Sequence, residues 1–137
     1  MAVRGDKSAV SEKAVVEMKK AFIDLRAVSL QAAIEFYCEE LALFDFHQDY
    51  GMGTVSLAYK ANESILLLLS EGAPTLLGRP VFHVEADSCE SMFNTLRVQA
   101  FESGGKLLSK EIFEYPMEKS LALEDPSGNM FILFEPH

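Results

Sequence analysis

Two stretches of the chain carry the same pattern of apolar and polar positions. Leu30, Ala33, Ile34, Tyr37, Cys38 and Leu41 recur at the i, i+3, i+4, i+7 spacing that lines one face of a helix, with Ser29 placed as N-cap. Adding 59 to each number lands on Cys89, Met92, Phe93, Leu96, Arg97 and Ala100, behind Ser88, and five of those six stay apolar or small. The segments before the helices keep the same offset. Ile23, Leu25 and Ala27 alternate with Phe22, Asp24 and Arg26, as Phe82, Val84 and Ala86 alternate with Val81, His83 and Glu85. Each helix is thus predicted to follow a strand that has one apolar face.

Three short strand candidates follow each helix, at 43–49, 54–60 and 64–70, then at 106–114, 119–124 and 130–135. Gly51 and Gly53, Asn62, Pro116 and the stretch Asp125 to Asn129 separate them, and Gly104-Gly105 closes the second helix. Residues 21–71 therefore read as one βαβββ module and 81–137 as a second. The linker at 72–80 holds Gly72, Pro74, Gly78 and Pro80. Residues 1–20 form an N-terminal tail, loose over Met1 to Ser8, with the pattern of a short helix from Ser11 to Lys20.

Composition narrows the function classes. With 137 residues and 49% hydrophobic content, the chain is long enough for one core without disulfide or metal staples. A net charge of −9 with no basic run speaks against a nucleic-acid surface and against attraction to an anionic membrane. The longest apolar run, Ile65 to Leu69, is far short of the roughly 20 residues that span a bilayer. Cys38 and Cys89 have neither disulfide-framework nor metal spacing, and no apolar signal region follows the first residues, so a cytoplasmic protein is expected. No phosphate-binding glycine loop, Cys-x-x-Cys pair or Gly-x-Ser-x-Gly elbow points to another enzyme class.

The most specific feature is the end of the chain. Asp125-Pro126-Ser127-Gly128-Asn129 is a tight turn, and it leads into an apolar strand that closes on Glu135-Pro136. This turn and strand, with Ser29-Leu30 leading to Phe36-Tyr37, resemble the vicinal oxygen chelate superfamily of glyoxalase I, bleomycin-resistance proteins, fosfomycin-resistance enzymes and extradiol dioxygenases. The resemblance covers residues 21 to 136. It implies an α+β fold in which two βαβββ modules form a partly open, curved mixed-sheet barrel with helices on the convex side. It also implies a homodimer with modules paired across chains, and a divalent metal held in part by Glu135. Yet the first-strand ligand positions, seven residues before Ser29 and Ser88, hold Phe22 and Val81, which cannot bind a metal. The remaining ligand position falls on Leu69, Ser70 or Glu71.

Strand alternation places Asp24, Arg26, His83 and Glu85 on the concave side, where Glu135 is expected to join them, with Phe22, Val81, Phe131 and Leu133 as apolar wall. Arg26 suits a ligand carboxylate or phosphate, and His83 is the candidate group for moving a proton. The leading expectation is a small-molecule binder similar to bleomycin-resistance proteins, with no cofactor and without the superfamily's metal. The alternative is a glyoxalase-related lyase or isomerase, or a dioxygenase-like enzyme, with Glu135 and His83 as catalytic groups. It would use either a displaced metal on Asp24, His83 and Glu135 or metal-free acid–base chemistry by His83 with Glu85 or Asp24.

Overall fold

Alternation decides the first element. In β1 (Ala21–Ala27), Leu25 and Ala27 are buried while Phe22, Asp24 and Arg26 are exposed, as one-sided burial of a strand requires. A computed structural model of the chain describes residue 17 and residues 19–137; the tail and most of the stretch behind Ser11 lie outside the described residues. Ser29, in extended conformation, accepts a hydrogen bond from Ala32 N and starts α1 (Leu30–Ile34). The sequence predicts one regular helix as far as Leu41, but after Ile34 the chain widens into a π-helical stretch, Glu35–Glu40, with Leu41 N–H bonded to Phe36 C=O at 2.9 Å. The wider turn accompanies contacts to the other module. The Glu40 carboxylate accepts from Ser103 N and Oγ, and its carbonyl accepts from Gln99 Nε2 at 2.8 Å.

β2 (Phe44–Gly51), β3 (Thr54–Tyr59) and β4 (Asn62–Glu71) complete a sheet of order β1-β4-β3-β2, in which β1 runs parallel to β4 and the other pairs are antiparallel. The second half repeats this path. β5 (Pro80–Glu85) leads to α2 (Cys89–Leu96), capped by Ser88, and then to β6 (Lys106–Leu107), β7 (Phe113–Glu114), β8 (Glu118–Glu124) and β9 (Met130–Pro136). Its sheet has the order β5-β9-β8-β6, with β7 also on β8 and β5 parallel to β9. The strand expected over 106–114 is split, because the Ser109 hydroxyl takes the Ala122 N–H at 2.8 Å that a continuous ladder would use. Helix α2 stops at Leu96, short of the expected Ala100, with Arg97 as C-cap.

Both sheets remain open, and their helix-side faces share one core. Phe36 and Tyr37 from the first module pack with Phe82 and Phe131 from the second. Phe82 and Phe131 stack at 4.7 Å between ring centroids, and Phe36 lies 6.2 Å from Phe131. Aromatic side chains bury on the order of 150–250 Å² each, so this cluster is a large part of what holds the halves together. Gly105 completes the fit: a methyl group there would overlap the Phe36 ring. Among the described residues no helix is long and apolar enough to cross a membrane.

Candidate functional site

The Asp125–Asn129 turn is a clamp between the modules. Asp125 Oδ1 accepts from Ser127 N at 2.9 Å and Asn129 N at 3.0 Å, while Oδ2 accepts from Asn129 Nδ2 at 2.9 Å and from the Tyr37 hydroxyl at 2.8 Å. Four donors on one buried carboxylate replace its lost hydration. Burial, and next the Asp125 charge, push the Tyr37 phenol well above its ordinary range. The turn also reaches β1: Asn129 Nδ2 donates to Arg26 C=O at 2.8 Å, and Val28 N–H donates to Ser127 Oγ at 2.8 Å. It therefore fixes the backbone that carries Arg26.

On the face of β1 turned away from the core, Asp24 and Arg26 line a cavity of about 390 Å³ together with Ser70, Leu76, Val81 and Asn129. Among the described residues Arg26 forms no ion pair; its nearest polar partner is Glu71 C=O at 3.4 Å. A guanidinium without a carboxylate partner, beside apolar Val81 and Leu76, can hold an anionic or strongly accepting group on an apolar body. Phe22 lies on the same face and lines a smaller cavity of about 260 Å³ with Tyr50, Thr54 and Leu68. His47 and Tyr50 escaped the sequence reading. The hydroxyl of buried Ser56 meets His47 Nδ1 at 2.9 Å and Tyr50 OH at 3.1 Å. A register shift in β2 between Phe46 and Gln48 puts His47 out of simple alternation; a serine inside an apolar strand was the available signal.

The second module distributes its candidates differently. His83 is exposed beside Ile132, with its ring 6.5 Å from that of Phe134. Glu85 pairs with Phe134 and lines another cavity. Within one chain, then, Asp24, Arg26 and Val81 meet, while His83 and Glu85 are not brought into their cavity.

Glu135, Phe131 and Leu133 require correction. The pairing of Val84 with Leu133 sets the phase of β9 so that all three share the helix side of the sheet, opposite His83. Phe131 is fully buried in the core, and Leu133 is nearly so. Glu135 Oε1 accepts from Cys89 N at 2.9 Å, at the first residue of α2, where a carboxylate satisfies an unpaired helix N–H. Burial, and next the Glu135 charge, raise the Cys89 thiol pKa.

The residues present do not fit the implied metal. Phe22 and Val81 stand at the implied ligand positions, Leu69 is in the core, Ser70 shares a long hydrogen bond with Thr54, and the Glu71 carboxylate lies against Gly53. The displaced set of Asp24, His83 and Glu135 is not assembled, since Glu135 and His83 lie on opposite faces of one sheet. Among the described residues no three His, Cys, Asp or Glu side chains are placed to hold an ion.

No family model matches the chain, and no curated protein does. Solved structures do. An antibiotic-binding protein from Streptomyces sp. CB03234, TnmS3, superposes with a TM-score of 0.66 at 21% identity over 90% of this chain and 98% of that one. A bleomycin-binding protein from bleomycin-producing Streptomyces verticillus, in complex with copper(II)-bleomycin, gives 0.62 at 17% over 90% and 100%. A glyoxalase/bleomycin resistance protein/dioxygenase from Nocardioides gives 0.62 at 18% over 96% and 93%. The repeated βαβββ path and these superpositions lead to one conclusion: the chain has the vicinal oxygen chelate fold of the glyoxalase/bleomycin resistance protein/dioxygenase superfamily.

Proposed function

We propose that the protein binds a small organic molecule on the open faces of its sheets, without a metal; an antibiotic-binding protein and a bleomycin-binding protein share its fold. The observation that carries this reading is the cavity around Arg26, where a guanidinium that forms no ion pair among the described residues shares a mixed lining of apolar Leu76 and Val81 and polar Asp24, Ser70 and Asn129, on backbone fixed by the Asn129 clamp. The apolar residues at the implied ligand positions and the structural engagement of Glu135 support the metal-free form. The hydrogen bond from Cys89 N to Glu135 weighs against Glu135 as the proton carrier of the lyase or isomerase reading.

The working form in this reading is a homodimer. Phe22 and Tyr50 on the first module, and Phe113, Tyr115 and Met117 on the second, are large apolar side chains left exposed in the single chain. Pairing the first module of one copy with the second module of another would cover them. It would also bring His83 and Glu85 to the cavity of Asp24 and Arg26.

Calorimetric titration with metal-free bleomycin and with copper(II)-bleomycin, in chelator-treated protein, tests the proposal. Saturable binding of at least one form is expected, weakened by Arg26→Ala, with the protein's thermal midpoint unmoved by the chelator. Binding restored only by adding a divalent metal, or affinity untouched by Arg26→Ala, would overturn it.

A further inference from the structure

The exits of β1 and β5 are equivalent positions of the repeat, and side chains among the described residues cover only the first. At β1, Ala27 C=O accepts from Gly72 N across the sheet at 3.0 Å, so the backbone groups of Arg26 and Val28 turn to the free edge. There the Asn129 carboxamide donates to Arg26 C=O and the Ser127 hydroxyl accepts from Val28 N–H. At β5, Ala86 N–H donates to Phe134 C=O at 2.7 Å, so Glu85 and Asp87 turn their backbone groups to the edge in the same way. The offset of 59 that relates Ser29 to Ser88 carries Arg26 onto Glu85 and Val28 onto Asp87.

No side chain among the described residues takes the corresponding places at Glu85 C=O and Asp87 N–H. The β3–β4 hairpin, counterpart of the Asp125–Asn129 turn, has a register shift between Ala58 and Tyr59, and Lys60 N bonds to Leu43 C=O instead. A cavity of about 440 Å³ lies between the hairpin tip and the β5 exit. Leu43, Tyr59, Val84 and Met92 form its apolar walls, and Glu85 and Asp87 stand at its rim. That volume lies in the range of small-molecule sites, which pair an apolar lining with a few fixed polar groups. Backbone donors and acceptors at a strand edge are groups that seek a partner.

We propose that this cavity is a second binding site, for a small neutral molecule that carries two amides, joined through one carbon, on an apolar body. The N–H of one amide donates to Glu85 C=O and the C=O of the other accepts from Asp87 N–H, the same polarity that Asn129 and Ser127 supply at β1. The apolar body fills the space bounded by Tyr59, Val84 and Met92. The Asp87 carboxylate at the rim sets the charge preference, because an anionic ligand would meet it there. Within one chain the site is separate from the Arg26 cavity, and it does not depend on the function proposed there.

The probe is N-acetylphenylalaninamide, with anionic N-acetylphenylalanine as control, followed by amide chemical shifts in the full-length protein. Saturable shifts at Asp87, Ser88 and Met92 are expected with the amide, and binding about tenfold or more weaker with the acid. Met92→Trp, which fills the cavity, should abolish the shifts. Ala61→Phe, on the exposed hairpin tip, should weaken them by closing the mouth without disturbing the core. Equal binding of the two probes, no response at Asp87, or unchanged binding in a folded Ala61→Phe protein would overturn the proposal. Copper(II)-bleomycin titration of the same variants separates this site from the Arg26 cavity, whose binding they should leave intact.

Discussion

Tyr37 shows how a single residue ties the halves together. Its hydroxyl donates to Asp125 Oδ2, and both groups are buried, so Tyr37→Phe removes a hydrogen bond to a charged acceptor and should cost about 2 kcal/mol in urea denaturation. The pH dependence has a definite sign. The folded-state phenol lies above the ordinary value of 10.0, so its contribution is complete below pH 10.0 and is lost as pH climbs toward the raised value. Cys38, pushed from 9.0 up to about 11 by burial and next by Asp45, adds a loss that sets in from pH 9.0. Thermal midpoints should therefore fall in two stages, and Tyr37→Phe should flatten only the upper one; a profile unchanged by the substitution would count against the buried pair. At this scale the caps Ser29 and Ser88 were legible, because an N-cap is a local interaction. The partner of Glu135 was not, because Cys89 N reaches it across 46 positions of sequence.

Among the elements, the close approach of Gly105 to α1 is the most exacting contact. The Phe36 ring occupies the space a side chain would need, and it is hemmed in by Tyr37, Phe101 and Phe131. Gly105→Ala should destabilise by about 1–3 kcal/mol, the usual range for overpacking, as read from chemical denaturation. A neutral result would mean that the ring can swing aside. Element order and strand alternation in β1 and β5 were readable from period-two patterns. The phase of β9 was not: Met130 to Phe134 is apolar at every position, so alternation carries no information there, and only pairing with β5 and β8 assigns the faces. The π-helical stretch also follows from contacts beyond its own sequence, where Glu40 meets Ser103 and Gln99.

For the whole molecule, one core serves two modules, while the opposite face of each sheet leaves large apolar side chains exposed among the described residues. Exposed Phe22, Tyr50, Phe113 and Tyr115 make an isolated chain a poor end state in water. Sedimentation velocity at micromolar concentration should show a dimer, and the combined change Phe113→Glu with Tyr115→Glu should shift it to monomer while the chain remains folded. A wild-type monomer with no buried interface above about 1,000 Å² would contradict cross-chain pairing.

The sequence by itself determined the repeat, the two caps and the terminal turn, because each rests on local conformational preference or on periodicity within a single element. It also determined that Phe22 and Val81 occupy the positions the resemblance assigns to metal ligands. Only the tertiary structure decided which polar groups meet. Asp125 became a structural hub rather than a simple turn residue, Glu135 a helix cap rather than a cavity group, and Arg26 a member of a cavity that His83 and Glu85 do not reach within one chain. The physical reason is that side-chain partnership depends on sheet register and module packing, and these are fixed by long-range contacts that no local pattern encodes.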